Sequence, residues 1–354
     1  LVREGHWLRT IVKATLSLTH DCNLACRYCY AGRKSRRDMT IDTARRSVDF
    51  AFGLARPERP LDFSFFGGEP LLRFDLMMQV VDYIRARERM TGQAVIIGIT
   101  SNGTLLGPAA RAFLRQEQVD LCLSVDGPAH THNLNRVYPG GAGSFADAER
   151  GLRAALSELS SVQVNAVYGP ETVHALPETL DFFVASGVSS IHLNPNIQST
   201  WEPDCARELP DIYMRLAERY ISHFRSGREI AVNLFDSKII LFLKGGYGAE
   251  DLCSMGEAEW GFAPSGNIYP CERFIGEDDN PALCLGNIRT GIDPRRRCAI
   301  IARRGNRNAE CATCDWAKYC MNWCGCTNHA FTGATDLTSP FLCASERAAI
   351  CAAR

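Results

Sequence analysis

Between Val12 and Asn194 the chain alternates short β-rich runs with amphipathic helical runs, and this rhythm admits few folds. The apolar, β-rich runs are Val12–Leu18, Leu61–Phe66, Ala94–Thr100, Val119–Val125, Val162–Val167 and Ser190–Leu193. Helical patterns separate them at Ile41–Leu54, Leu76–Arg89, Pro108–Gln116, Phe145–Leu156 and Pro177–Ser186. Strands alternating with helices predict an α/β fold whose parallel sheet is covered by helices. Six units are too few for a closed eight-fold barrel but suit a partial (β/α)6 TIM-like one; the pattern alone leaves a flat sheet open. In such barrels the chemistry sits on loops at the C-terminal ends of the strands. After Pro195 the alternation stops, and two helical runs, Leu209–Phe224 and Ser237–Leu243, lead to a boundary at Gly245-Gly246. The predicted organisation is therefore 1–205, a bridging 206–249, and a small cysteine-rich 250–354.

The loop after the first strand carries Cys22-Asn-Leu-Ala-Cys26-Arg-Tyr-Cys29. Thiolates are preferred ligands of iron–sulfur clusters, and three on one loop leave one iron of a 4Fe-4S cube open. A zinc knuckle is the competing reading, but zinc wants four ligands and the nearby candidate for a fourth is His20, outside the usual finger spacings. Sixteen cysteines in 354 residues, without a signal-peptide pattern, point to metal in a reducing, cytoplasmic setting rather than to disulfides. A net charge of −1 gives no field that would draw nucleic acid or a membrane surface. The early apolar stretch Thr10 to Leu18 is short and broken by Lys13, so no membrane span is expected.

Cys-x3-Cys-x2-Cys with an aromatic residue before the last cysteine resembles the radical SAM superfamily. The resemblance implies that Cys22, Cys26 and Cys29 bind a 4Fe-4S cluster whose open iron chelates S-adenosylmethionine. Reductive cleavage then yields a 5′-deoxyadenosyl radical that removes hydrogen from unreactive C–H bonds. It also favours the partial barrel over the flat sheet. Phe66-Gly67-Gly68-Glu69-Pro70 ends the second strand. By resemblance, Gly67, Gly68 and Glu69 bind the methionine amine of SAM. Thr100-Ser101-Asn102-Gly103 follows the third strand and Ser124-Val-Asp126-Gly127 the fourth, with Arg136 beyond. Ser124 and Arg136 match residues that contact the ribose and carboxylate of SAM; Ser101, Asn102 and Asn165 are further candidates. His132 and His192 could face the cavity, or serve as satisfied structural groups.

The second half adds Cys253, then Gly266-x4-Cys271, Cys311-x2-Cys314-x5-Cys320-x3-Cys324, and Cys343. Order and spacing resemble the seven-cysteine SPASM extension of radical SAM proteins, which holds two auxiliary clusters. The turn at Ser265-Gly266-Asn267 reads as a β-hairpin. By resemblance the first auxiliary cluster takes Cys253, Cys271 and Cys324, and the second takes Cys311, Cys314, Cys320 and Cys343, making three 4Fe-4S clusters in all. The fourth ligand of the first is either Cys284 or an open position for substrate. Cys122, Cys205, Cys298, Cys326 and Cys351 are left without a role. A four-cysteine zinc module at Cys311 to Cys324 is the alternative, and it leaves Cys253, Cys271 and Cys343 unexplained.

SPASM proteins mostly modify peptides, so the expected substrate is a ribosomally made precursor peptide receiving a thioether or carbon–carbon cross-link. Sulfatase-maturating enzymes, which oxidise Ser or Cys to formylglycine, are the alternative branch, and a small-molecule dehydrogenase or a non-catalytic metal scaffold are others. The sulfatase branch carries an Asp base directly after the Cys of Gly-x4-Cys; here Glu272 stands there, either as a base or paired with Arg273. A low-potential donor such as flavodoxin or ferredoxin is implied. The chain starts at Leu1, so upstream residues stay open, and too little precedes residue 12 to hold a leader-recognition domain; leader recognition would then need a separate partner, residues upstream, or none at all. The basic run Arg295-Arg296-Arg297 with Arg303, Arg304 and Arg307 could grip an acidic leader or be a solvated loop. Trp316 and Trp323 are expected to pack around the clusters.

Overall fold

The computed structural model describes residues 11–55 and 59–354, so the start of the expected first domain, residues 1–10, lies outside the described residues. All six expected strands form within a residue or two: β1 (Val12–Thr19), β2 (Leu61–Gly67), β3 (Val95–Ser101), β4 (Asp120–Ser124), β5 (Val162–Tyr168) and β6 (Ser190–Pro195). Each pairs in parallel with the next. The register of β1 on β2 slips between Ser17 and Thr19, an irregularity placed where the cysteine loop departs. Helices α1 (Ile41–Leu54), α2 (Phe74–Thr91), α3 (Pro108–Gln116), α4 (Ala129–Asn135), α5 (Phe145–Glu158) and α6 (Leu176–Ala185) fill the connections.

The two faces of the sheet differ in kind. Ala14, Leu16 and Leu18 on β1, Leu61, Phe63 and Phe65 on β2, and Ile97, Leu121, Leu123, Val164 and Leu193 beyond are fully buried in the main core. Each large apolar side chain buried this way contributes roughly 1.5–3 kcal/mol over exposure. The alternate positions are polar: Lys13, Thr15, Asp62, Ser64, Thr100, Ser124, Asn165 and Asn194 all line a single cavity. Because strands β1 to β6 contribute to one cavity, the sheet wraps around it, as a partial barrel requires and a flat sheet does not. Its lumen mixes these polar positions with apolar groups such as Phe66, Val167 and Ile197, a lining suited to a ligand with both polar and apolar parts.

Both edges are extended. A two-residue β7 (Ala231–Val232) pairs with β6, and β8 (Glu259–Phe262) pairs in parallel with β1. β9 (Asn267–Tyr269) returns antiparallel to β8, so the expected hairpin forms, with Gly266 at φ +87°. β10 (Gly286–Asn287) and β11 (Gly291–Ile292) complete an eleven-stranded sheet. The cysteine-rich segment is thus continuous with the barrel sheet.

Helix α7 (Pro203–Arg225) begins well before the expected Leu209 and tolerates Pro210 at an exposed position inside it. With α8 (Asn233–Lys244) it packs against the last helix. Beyond α9 (Pro294–Ile301) and α10 (Gly325–Thr332), α11 (Pro340–Ala352) places Ser345 Oγ 2.9 Å from Tyr213 Oη, and Phe341 stacks on Trp201 at 4.0 Å. Lys238 Nζ lies 2.6 Å from Glu346. Among the described residues no helix is long and apolar enough to cross a membrane.

Candidate active site

The loops that leave β1, β2, β3 and β4 meet at one mouth of the cavity, which encloses about 350 Å³. Cys22, Cys26 and Cys29 line it together with Gly67, Gly68, Glu69, Ser101, Asn102, Ser124, Arg136 and Asn165, so every residue expected on the SAM side arrives at one place. Two hydrogen bonds lock the second loop to the first: Gly68 N–H to Thr19 O and Glu69 N–H to Asp21 O, both 2.8 Å. A Cβ on Gly68 would stand 1.9 Å from Asp21 O, and Gly67 adopts φ +132°, so both glycines are required by the close approach. The cysteine loop is tied on its other side by Ala25 N–H to Val137 O, 2.7 Å, and Arg27 N–H to Asn135 O, 3.0 Å.

Glu69 is buried and accepts from Leu71 N–H at 3.0 Å, Ser101 Oγ at 2.8 Å and Asn102 N–H at 2.8 Å. Burial outweighs these donors and pushes its carboxyl up to about 7. Asn102 Nδ2 donates to Asn23 Oδ1 at 2.9 Å, so Ser101 and Asn102 hold Glu69 and the cysteine loop as well as facing the lumen. Asn165 accepts from Asn194 Nδ2 at 2.6 Å.

Arg136 Nε sits 3.0 Å from Asp126 Oδ1, with side chains only 8% and 3% exposed. Tyr28 donates its hydroxyl to Asp126 Oδ2, Val167 N–H donates to Oδ1 at 2.9 Å, and the guanidinium lies over the Tyr28 ring at 5.3 Å. Burial works against the charge on Arg136, but Asp126, Tyr28 and Cys26 more than offset it and hold it ionised. His132 is structural: Nδ1 accepts from Asp126 N–H at 3.3 Å, Nε2 lies 3.0 Å from Ser144 Oγ, and burial lowers its imidazole to about 4. His192 does not line the cavity.

The sixteen thiols are all free, none in a disulfide. Burial drives Cys22 up to about 12 and raises Cys26, while Lys34 Nζ lies 2.8 Å from Cys29 Sγ. Three thiols gathered at one cavity fit a cationic cluster that would draw off their protons. The second array also assembles. Cys343 lies near enough to Cys311 and Cys314, and Cys320 near enough to Cys343, for their charges to interact. Cys253 and Cys324 interact, and Cys271 joins them through Cys326, whose Sγ is 3.7 Å from that of Cys324. Cys284 instead donates its thiol to Gly286 O at 3.3 Å. The donor set of Cys22, Cys26 and Cys29 fits an iron–sulfur cluster.

The far wall of the same cavity is the Cys271 segment: Glu259, Glu272 and Arg273, with Tyr30, Lys13 and Asp62 beside them. Glu272 does not pair with Arg273. It lies against the thiol of Cys271 at 3.2 Å, while Arg273 donates to Thr327 Oγ1 at 3.3 Å and sits over the Tyr30 ring at 5.9 Å. Arg33 and Glu277, 3.2 Å apart, clamp this wall to the cysteine loop.

Residues 16–183 match the family model described as the Radical SAM superfamily. This part of the chain is a radical SAM domain. An uncharacterized protein of Methanocaldococcus jannaschii is 29% identical over 176 residues, 50% of this chain and 59% of that protein. A cysteine-type anaerobic sulfatase-maturating enzyme of Clostridium perfringens is 22% identical over 329 residues, 86% of this chain and 85% of its own length. Among solved structures, anSMEcpe with bound AdoMet superposes with a TM-score of 0.81 at 18% identity, over 97% of both chains. Streptococcus suis SuiB bound to precursor peptide SuiA gives 0.63 at 16% identity, over 94% of this chain and 76% of that one. These likenesses extend the shared fold past the radical SAM domain through the cysteine-rich end.

Several residues that build the radical SAM site escaped the motif reading. Tyr28 and Asp126 sit inside quoted motifs, yet nothing in their spacing marks a hydrogen bond between them. Glu259 carries no motif and becomes visible only because β8 pairs with β1. The arginine run is largely engaged: Arg296 donates to the carbonyls of Pro281 and Cys284, Arg297 to Gly256, while Arg304 pairs with Glu257 at 2.6 Å and Arg307 with Asp336 at 2.9 Å. Trp323 packs edge-on against Tyr247 at 5.0 Å, and Trp316 lies under Arg354 at 6.0 Å.

Proposed function

We propose that this radical SAM enzyme carries two auxiliary 4Fe-4S clusters in a SPASM-type extension and oxidatively modifies a peptide, closing a thioether or carbon–carbon cross-link. One observation carries the reading. A single cavity is lined both by Cys22, Cys26 and Cys29 and by Glu272 and Arg273, which directly follow Cys271, so a substrate in it can meet both. Cys22, Cys26 and Cys29 would hold the first cluster; Cys253, Cys271 and Cys324 the second; Cys311, Cys314, Cys320 and Cys343 the third. When bound, the first cluster and SAM together supply a carbon-centred radical able to take hydrogen from an unactivated C–H bond. The lumen accommodates SAM: Gly67 and Gly68 present bare backbone, Glu69 a buried carboxylate, and Ser124, Asn165 and Arg136 donors along the strands. Asp126 fixes the orientation of Arg136 where it lines the lumen. Glu272 and Arg273 on the opposite wall would position the peptide backbone or accept a proton from it.

Formylglycine formation on a sulfatase remains the second reading. It is favoured by the carboxylate of Glu272 in the cavity, directly after Cys271, together with the full-length likeness to a sulfatase-maturating enzyme. A low-potential donor such as flavodoxin or ferredoxin would feed either reaction, and a separate leader-binding protein would serve the first.

The test is an anaerobic incubation of reconstituted protein with SAM and dithionite, offering precursor peptides and, separately, sulfatase-derived peptides with a central Cys or Ser. A precursor lighter by about two mass units, with 5′-deoxyadenosine released, supports cross-linking. An aldehyde confined to the sulfatase peptides moves the assignment to the second reading. Deoxyadenosine with neither peptide changed refutes both.

A further inference from the structure

We propose that Glu259 supplies an oxygen ligand to the first auxiliary cluster, beside the thiolates of Cys253, Cys271 and Cys324; this rests on the auxiliary-cluster reading above. The local fold brings Glu259 there. The N–H groups of Glu257, Ala258 and Glu259 all point at Ser254 O, at 2.9, 3.0 and 3.2 Å, and Gly256 N–H donates back to Glu259 O at 3.3 Å. The chain therefore closes a tight loop just after Cys253 and sets Glu259 beside it, at the head of β8. From that place its Oε1 lies 3.5 Å from Cys271 Sγ. Glu259, Cys271 and Glu272 each offer a ligand atom, all within 4.8 Å of one another.

Glu259 is set apart from Glu272 by its reach. It closes the loop on Ser254 just after Cys253, whereas Glu272 directly follows Cys271 and stands no nearer to Cys253 in the chain. No protein cation is dedicated to it. Lys13 is its cross-strand neighbour, but Lys13 also answers Asp62 and Glu272, so one ammonium stands against three carboxylates. Glu259 and Glu272 lie side by side, half-buried, and a cation between them would relieve their repulsion. Iron accepts carboxylate as well as thiolate ligands, and the exchange alters charge and potential at the cluster.

The rival thiols fit less well. Cys284 is turned to the Gly286 carbonyl. Cys326 is engaged with the thiol of Cys324, 3.7 Å away.

The experiment loads the full chain anaerobically with isotopically enriched iron and sulfide, and compares wild type with Glu259→Gln, Glu259→Cys, Cys326→Ser and Cys284→Ser. Iron analysis, Mössbauer spectra and EPR after mild oxidation are the readouts. In wild type, one iron beyond those of the SAM cluster should carry the higher isomer shift of oxygen ligation. Glu259→Gln, which keeps the shape, should lose about one iron per chain and give a three-iron signal on oxidation. Glu259→Cys should retain full iron and lose the oxygen-ligated component, while the two serine variants keep the wild-type spectrum. An unchanged Glu259→Gln spectrum, or loss of that iron from Cys326→Ser or Cys284→Ser instead, overturns the assignment. Wild-type protein that holds only the SAM cluster removes the auxiliary-cluster reading itself, which the serine variants cannot mimic.

Discussion

Replacing Asp126 by Asn tests whether the Arg136 pair is a structural unit of the site. The two side chains are 3% and 8% exposed, and Asp126 also accepts from Tyr28 and from Val167 N–H. Asparagine keeps one acceptor oxygen, which Val167 can use, but turns an amide N–H₂ toward donors and leaves Arg136 without its anion. Breaking a buried pair by removing one partner costs about 3–5 kcal/mol, because the other charge stays buried. For a chain of this size that lowers the melting point by on the order of 5–15 °C. Urea and thermal unfolding of the metal-free protein measure it without involving any cluster. Arg136→Met alone should cost a similar amount, since it strands Asp126. The double variant, however, should be milder than the sum of the two by at least about 2 kcal/mol, because a neutral, well-packed pair replaces a stranded charge. An Asp126→Asn cost below about 1 kcal/mol, or strict additivity in the double variant, would refute the reasoning. Arg136 would then be a free cation, available for a ligand carboxylate.

Gly68→Ala brings a Cβ to 1.9 Å from Asp21 O, so the second loop must part from the cysteine loop and lose its two 2.8 Å hydrogen bonds. The expected loss is roughly 2–4 kcal/mol, read as a lower urea midpoint together with failure to retain iron at the SAM cluster. Glu69 makes stability fall as pH rises. Its folded carboxyl is raised from 4.5 to about 7, so the folded chain holds the proton longer, and the contribution present below 4.5 is lost by the time pH passes about 7. The size is on the order of 3 kcal/mol, and urea midpoints of the metal-free protein at pH 5 and pH 8 should differ in wild type but converge in Glu69→Gln, whatever that variant's absolute stability. Lys238→Met strands Glu346, which also accepts from Met321 N–H beside Cys320; it should cost about 2–3 kcal/mol, and Glu346→Gln added to it should recover most of that.

The SAM side of the site was legible because its loops follow strands that alternate cleanly. Leu16, Leu18, Phe63 and Phe65 face the helices while Thr15, Ser64 and Asp62 face the lumen, and the motifs fall where those strands end. Helix α4 was not legible: its seven residues bury Thr131, His132 and Asn135, polar groups that give no apolar stripe. Pro210 hid the true start of α7, since a proline reads as a boundary although an exposed one can be carried inside a long helix. The tie between Tyr28 and Asp126 was invisible for another reason, as partners 98 positions apart are joined only by the fold.

Glu259 belongs with these, and it shows what a cysteine count leaves out. Reading ligands by sulfur alone leaves Cys284 or an open position as the fourth site. Spatial pairing points elsewhere. Once β8 docks on β1, the residue opposite Lys13 is a carboxylate, 3.5 Å from a cluster thiol and at the end of a loop closed on Ser254. Oxygen and sulfur donors differ in charge distribution and softness. A carboxylate there would therefore set the electron affinity of the cluster nearest the substrate cavity, on the wall where electrons from an oxidised peptide would leave.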